Sequence, residues 1–231
     1  MIHIVIGRRE LGKTTLAYYM ARRAPRRAII DARRMIRQPS AEYEHDALLA
    51  GEAVNAMVVE NESTEVIYQP FEDDLDQAFS QWCRDLKTVA MNNPDKELAI
   101  MVDEASFYNL NTPAFQWLAK CSLRDYTHII VTAHRPADIP TSIRSIADHW
   151  FIFYTSQQHD LKAIEEKSPE AAREARLLKG RDFVHWDDAR ARLSVNRSSM
   201  SWFVQLQSSR KPSTADIAPE GLPVTRPLLE D

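Results

Sequence analysis

The chain has 231 residues, of which 44% are apolar, 27% charged and 9% aromatic. That length and apolar share suit one large core and exclude wholesale disorder. No apolar run approaches the ~20 residues that a membrane-crossing helix needs. No basic leader precedes an apolar block at the start, so no secretory signal is expected. Two cysteines, Cys83 and Cys121, are too few for a disulfide framework or a four-cysteine zinc site, and the expected compartment is reducing.

The net charge of −4 conceals an asymmetry. Between Gln38 and Cys83 there are 11 Asp and Glu and no Lys or Arg. The rest of the chain holds 29 basic and 22 acidic residues, and seven of the 16 residues from Arg22 to Arg37 are arginine. That run reads either as a phosphate-contacting stripe or as a solvated segment whose arginines pair with the acidic block. The acidic block, repelled by a polyanion, reads as an outer face or a subunit contact.

In chain order, Ile2 to Ile6 is β-branched and predicts a buried strand. A tight loop follows, then a helix from Thr14 to Ala24 stopped by Pro25. Arg27 to Asp31 predicts a second strand. Residues through Glu60 are weakly patterned, with a helix over Ala47 to Val59 despite Gly51. Glu65 to Gln69 reads as a strand, and Asp73 to Met91 as an amphipathic helix. Leu98 to Val102 is an apolar strand, Pro113 to Lys120 a helix, and His128 to Thr132 and Trp150 to Tyr154 two more strands. A polar helical region from Asp160 to Leu178 breaks near Ser168-Pro169. Phe183 to Trp186 and Ser201 to Leu206 predict closing strands, and the Ser/Pro-rich residues 207–231 a flexible C-terminal tail. Strands alternating with helices predict an α/β fold with a mostly parallel sheet, its functional loops at the C-terminal strand ends.

Gly7-Arg8-Arg9-Glu10-Leu11-Gly12-Lys13-Thr14 matches G-x-x-x-x-G-K-[ST] without departure, after a strand and opening a helix. Glycines let the backbone wrap a phosphate chain, and the loop and helix N–H groups bind anions. Lys13 supplies a positive charge to the β- and γ-phosphates, Thr14 a hydroxyl for Mg²⁺, and Thr15 reaches a neighbouring phosphate. The strand Leu98 to Val102 runs into Asp103, a candidate Mg²⁺ ligand, and Glu104, a candidate base that polarises a water. The whole is a P-loop NTPase pattern of the RecA/ASCE-like kind, over residues 1–206 as a single P-loop ATPase domain. No Asn-Lys-x-Asp guanine-reading motif is present, which favours ATP over GTP.

The stretch from Leu123-Arg124 through Thr132-Ala-His134-Arg135-Pro136, Ile139-Pro-Thr-Ser-Ile-Arg144 and the strand at Trp150 resembles the FtsK/HerA superfamily of P-loop DNA motors. That family has an Arg before the sensor strand, a T-Q-R-P-like strand end, an I-P-x-x-I-R-like segment and a further strand. By size, and by the lack of membrane segments or an added DNA-reading domain, it looks most like the genome-packaging ATPases of tailless internal-membrane (tectivirus-like) viruses.

The resemblance implies an ATPase that moves double-stranded DNA without reading its sequence, with ATP and Mg²⁺ as cofactors. It implies a hexameric homo-oligomer in which Arg124 is a finger reaching the neighbour's ATP. His134 stands where the family has Gln as γ-phosphate sensor, a departure, and a structural His packed behind Pro136 is the other reading. Pore loops are expected at Ser106 to Asn111 and Arg135 to Arg144. The implied partners are capsid or internal-membrane vertex proteins, and the implied location is the host cytoplasm during assembly, with virion association. Asp31 reads as orienting the P-loop, as a subunit contact or as a turn residue. Two alternatives stand beside this: a related motor in DNA transfer, export or processing, and a small-molecule P-loop kinase or ATP-binding switch.

Overall fold

The computed structural model describes residues 1–60, 64–71, 74–121 and 126–197. Its strands are β1 (Ile2–Ile6), β2 (Arg27–Ile30), β3 (Glu42–Glu44), β4 (Glu65–Tyr68), β5 (Leu98–Val102), β6 (Thr127–Ala133), β7 (His149–Phe153), β8 (Phe183–Asp187) and β9 (Arg192–Asn196). Its helices are α1 (Lys13–Ala21), α2 (Ala47–Val59), α3 (Leu75–Asn92), α4 (Pro113–Cys121), α5 (Thr141–Arg144), α6 (Gln158–Glu165) and α7 (Pro169–Ala175). The strands form one sheet in the order β3-β4-β2-β5-β6-β1-β7-β8-β9. All pairings are parallel except β7–β8 and β8–β9. The expected mostly parallel α/β sheet is therefore present.

Alternation along each strand feeds two apolar layers. Ile2, Ile4 and Ile6 point to the layer shared with α2, α3, α4 and α7, while Val5 points to the smaller layer under Leu16 and Ala17 of α1. Helix α2 starts where the Asp46 carboxylate accepts the N–H groups of Leu48 and Leu49 at 2.8 and 3.2 Å. Gly51 does not weaken this helix idly. A Cβ there would lie 2.7 Å from the Asp85 carboxylate and 2.8 Å from its Cβ, so glycine lets α2 and α3 close on each other.

Several expectations are adjusted. Helix α1 ends at Ala21, and tighter turns carry the backbone through Ala24 to Pro25. Strands β3 and β9 had no counterpart in the pattern. β3 is a three-residue edge strand whose Glu42 and Glu44 lack an apolar alternation, and such charges also blunt a sheet edge. β9 returns from β8 through a turn with Ala191 at φ 45°, without the glycine or asparagine that marks a hairpin. The strand expected at Ser201 to Leu206 and the tail 207–231 lie outside the described residues. Cys83 is a buried free thiol. Among the described residues no helix is long and apolar enough to cross a membrane.

His3, His128 and His149 stand near the starts of the neighbouring parallel strands β1, β6 and β7, and His185 of the antiparallel strand β8 stands beside them. His3 stacks on His149 at 5.0 Å between ring centroids and lies 6.5 Å from His128, while His185 Nε2 is 3.2 Å from His149 Nδ1. Burial holds all four below the ordinary imidazole range, His128 and His185 at about 4. The unfolded chain therefore takes up protons that the folded one refuses. Stability present above pH 6.5 is lost as the pH falls from 6.5 toward 4. The denaturant midpoint should drop across that window. His185→Phe keeps a ring against Phe151 but takes no proton, so it should shallow the drop; a flat wild-type profile would mean these rings are not held neutral by their packing.

Candidate nucleotide-binding site

The strand order decides what meets at the carboxyl edge of the sheet. Because β6 lies between β1 and β5, the loops that follow these three strands are neighbours although they are far apart in sequence. Gly7 to Thr14, Asp103-Glu104 and His134 converge there.

The Gly7-to-Lys13 loop has the backbone its glycines permit. Gly7 stands at φ 146° and Gly12 at φ 98°, and Glu10 adopts a left-handed φ of 64°. Any Cβ at Gly7 would sit 2.5 Å from Phe153 Cβ in β7, so no other residue fits. Gly12 opens α1 with no side-chain cap, which leaves the first N–H groups of the helix for an anion. Arg8 ties the loop to the segment after β7, donating to Ser156 Oγ at 2.8 Å with its guanidinium 5.0 Å from the Tyr154 ring.

Lys13 is 6% exposed, and its ammonium donates to the Arg8 carbonyl at 3.0 Å. Burial lowers its pKa, while Glu104 and Asp103 oppose that shift. Thr14 Oγ1 donates to Asp103 Oδ1 at 2.9 Å. Asp103 is almost fully buried, and burial pushes its carboxyl up to about 6 against the hydrogen bonds that Thr132 and Thr14 provide. A hydroxyl and a buried, under-compensated carboxylate side by side form a hard-oxygen pair suited to Mg²⁺. Among the described residues no cluster of three or more His, Cys, Asp or Glu could hold a metal. A cation here would draw its other ligands from phosphate and water.

Glu104 sits at the end of β5 with a left-handed φ of 61°. Its Oε2 is 3.0 Å from His134 Nε2 and 3.7 Å from an Arg33 nitrogen, and its Oε1 accepts from Ser106 Oγ at 3.2 Å. His134 Nδ1 is 3.2 Å from Lys13 Nζ. Nδ1 also lies 3.4 Å from the Gly7 carbonyl, and Nε2 faces both the Glu104 carboxylate and the Arg9 Nε–H, so each ring nitrogen meets one donor and one acceptor. Burial and Lys13 lower the pKa of the ring, which favours its neutral form. His134 thus stands between the ammonium and the carboxylate. Arg9 Nε lies 3.3 Å from His134 Nε2 as a further cation at the same point.

Thr132, in β6, was not singled out in the sequence. Its hydroxyl donates to Asp103 Oδ1 at 2.8 Å and accepts the Glu104 N–H at 2.8 Å, so one side chain holds both acidic residues. Arg33 was seen only as one of a run. The run itself disperses: Arg27 pairs with Glu65 of the acidic block at 2.7 Å, Arg33 turns to Glu104, and Arg34 lies 3.7 Å from the centre of the Phe71 ring. Asp31 is a buried loop anchor, accepting from Ile36 N at 2.7 Å and Gln69 Nε2 at 3.3 Å. Arg124 lies outside the described residues. A hollow of about 260 Å³ by Leu178 and Val195 sits at the far edge of the sheet, away from these groups.

No protein-family model and no curated protein sequence matches this chain. Solved structures do. The genome packaging NTPase B204 from Sulfolobus turreted icosahedral virus 2 in complex with AMPPCP superimposes with a TM-score of 0.68 at 18% identity, over 86% of this chain and 98% of that one. B204, the DNA-packaging ATPase from Sulfolobus turreted icosahedral virus, gives 0.61 at 20% over 86% and 97%. VirB4 of Thermoanaerobacter pseudethanolicus gives 0.57 at 11% over 88% and 90%. At these identities the likeness is one of fold, and that fold is the P-loop NTPase fold that the strand order and the Gly7-to-Thr14 loop describe.

Proposed function

We propose that this chain is an ATP-hydrolysing, DNA-translocating motor of the FtsK/HerA superfamily that packages viral double-stranded DNA into a preformed capsid. The observation that carries the reading is the meeting of Lys13, His134 and Glu104 in hydrogen-bonding reach at the ends of three adjacent strands, beside the Thr14–Asp103 pair. The fold shared with the B204 structures supports the packaging role, since those proteins are described as genome-packaging NTPases. A related motor in DNA transfer, export or processing would use the same phosphate chemistry and stands as the second reading.

The chemistry follows from the side chains. The phosphate chain lies along the Gly7-to-Lys13 loop, where Lys13 and the first N–H groups of α1 offset its charge. Thr14 and Asp103 would hold Mg²⁺, which when bound draws charge from the phosphate oxygens. Glu104 takes a proton from a water whose oxygen attacks the γ-phosphorus, the bond to the β-phosphate oxygen breaks, and ADP and phosphate leave. In the structure Glu104 Oε2 faces His134 and Oε1 accepts from Ser106 Oγ, and each carboxylate oxygen keeps a further lone pair for a water.

The motor reading adds a hexameric ring in which Arg124 of one protomer completes the site of the next. Central loops then contact DNA phosphates rather than bases. Ser106 and Phe107 are exposed after β5, and Arg135 is exposed after β6, both at the carboxyl edge where pore loops would stand. Arg144 is tied into its own loop, donating to the Ile139 carbonyl at 3.1 Å. Capsid or internal-membrane vertex proteins are the partners of this reading, and the host cytoplasm and the virion its places of action.

Lys13→Ala should abolish ATP turnover, and unchanged turnover would remove the P-loop assignment. Glu104→Gln should bind ATP yet hydrolyse it at least about a hundredfold more slowly, as expected for loss of a general base. Double-stranded DNA should raise the ATPase rate and bind less tightly as salt increases; a rate blind to DNA would favour a kinase or a switch. Arg124→Ala subunits mixed with wild type should depress activity beyond simple dilution. Thr132→Val leaves Asp103 and the Glu104 N–H short of a partner, which should cost about 1–3 kcal/mol of stability in urea titration. It should also slow hydrolysis while ATP binding survives. Normal turnover would show that Thr132 does not position the acids.

A further inference from the structure

Helix α2 carries one charged side chain, Glu52, and one other polar one, Asn55; the rest of Ala47–Val59 is apolar or glycine. A helix that is apolar all round is normally buried all round. This one is covered on one side only. Ala50, Ala53, Val54, Met57 and Val58 form one helical stripe, buried against β4 and α3. The opposite stripe, Leu48, Glu52, Asn55 and Val59, faces solvent, with Leu48 60% and Val59 49% exposed. Leu49, beside Leu48, is half-exposed as well. Phe71 extends the apolar surface past the start of the helix. It is 60% exposed, its N–H donates to the His45 carbonyl, and its ring centre lies 4.2 Å from that of the His45 imidazole. Single apolar residues on a surface are ordinary, but a row of them along one helix marks a surface that something else covers.

The setting of this face is acidic. Glu42, Asp46, Glu52 and Glu60 are exposed and Glu44 is half-buried, and among the described residues none of the five is in a salt bridge. Burial, with the like charges of Glu42 and Asp46, holds the Glu44 carboxyl above its usual range. Two arginines of neighbouring elements are engaged locally. Arg34 lies over the Phe71 ring and donates to the Pro70 carbonyl at 3.2 Å. Arg84 of α3 donates to Gln81 Oε1 at 2.6 Å and to Ser80 Oγ at 3.0 Å.

These charges select what can cover the face. DNA or an anionic lipid surface would bring further negative charge to it. The same face of a second copy would set Glu52 and Asp46 against their own equivalents. We propose that the outer stripe of α2, with Leu49 and Phe71, docks a helix of another protein, one that presents an apolar stripe flanked by lysine or arginine. The apolar stripe covers Leu48, Leu49 and Val59, and the flanking cations meet Glu42, Asp46 and Glu52. At 1.5 Å per residue α2 offers such a helix a track of about 20 Å. The inference goes beyond the ATP chemistry and does not rest on it.

The probe is a labelled four-turn peptide of leucine and lysine, patterned so that leucine fills one helical stripe, with binding to the full chain read by fluorescence anisotropy. A scrambled peptide of the same composition and a patterned peptide with glutamate in place of lysine are the controls. The patterned lysine peptide should bind at least about tenfold more tightly than the scrambled one, and the glutamate peptide should not bind. Leu48→Gln combined with Leu49→Gln should weaken the patterned peptide by about tenfold. Glu52→Lys should weaken it by about two- to fivefold at low salt, and by less as salt is raised. All three side chains are exposed, so ATP turnover should be unchanged in these variants. Equal binding of the patterned and scrambled peptides would reduce the face to bare charge and overturn the proposal. So would binding that neither variant weakens. Sedimentation velocity should show wild type and both variants in the same oligomeric state; a smaller assembly in the variants would assign the face to a second copy and overturn the choice of partner.

Discussion

A buried ammonium set against two buried carboxylates is the constraint on which this molecule turns. Lys13, Asp103 and Glu104 are each no more than 6% exposed, and no one of them is tolerable alone at that depth. Lys13 keeps its charge because Glu104 and Asp103 face it. Asp103 still lacks full compensation, as its raised pKa shows. Such an arrangement is under-neutralised toward cations at Asp103 and under-neutralised toward anions at Lys13 and the uncapped start of α1. A metal–phosphate pair satisfies both deficits at once, whereas either ion alone satisfies one. The electrostatics thus favour a phosphate group together with its cation over either ion alone.

This juxtaposition is a product of topology more than of any motif. Were β6 on the outside of β5, His134 would not stand between Lys13 and Glu104. The inserted strand therefore does two things. It spaces the lysine loop from the acidic loop by one strand, and it places in that gap the side chains that tell each of the other. The left-handed backbone at Glu104 belongs to the same design, because it is how the chain turns a carboxylate back over the strand end instead of letting it point to solvent.

The Gly7-to-Thr14 loop was legible in the sequence because local geometry alone dictates its residue types: Gly7 has no room for a Cβ, and Gly12 must turn at positive φ. The apolar strands were legible for the same reason, as burial on both faces leaves continuous β-branched runs. Thr132 was not legible, since a threonine in a buried strand looks like any other until β5 is known to lie beside it. Arg33 was hidden inside a run of like residues, and only the β2–β5 pairing separates it from Arg27, which bonds to Glu65, and from Arg34, which covers Phe71. β3 was missed because Glu42 and Glu44 answer to the solvent at an edge rather than to a core. The role of His134 was open because its chemistry depends on which groups face its two nitrogens, and neither is near it in the chain.

The asymmetry of charge along the chain acquires a physical sense from this arrangement. The acidic residues Glu42, Glu44 and Asp46 gather at and beside the β3 edge, the outermost strand and the furthest in the sheet order from β9. An edge so charged discourages strand-to-strand association and repels a polyanion, so in the proposed motor it faces away from DNA. The arginines, in contrast, do not form one basic stripe. Arg27 pairs with Glu65 at the foot of the sheet, Arg33 lies beside Glu104, and Arg34 covers the Phe71 ring. In the ring that the resemblance implies, the grip on DNA falls to the exposed loops after β5 and β6. Those loops are the ones rooted directly in Glu104 and His134. In the proposed motor the path from chemistry to movement would therefore be short, since the loops assigned to DNA follow directly on the residues assigned to hydrolysis.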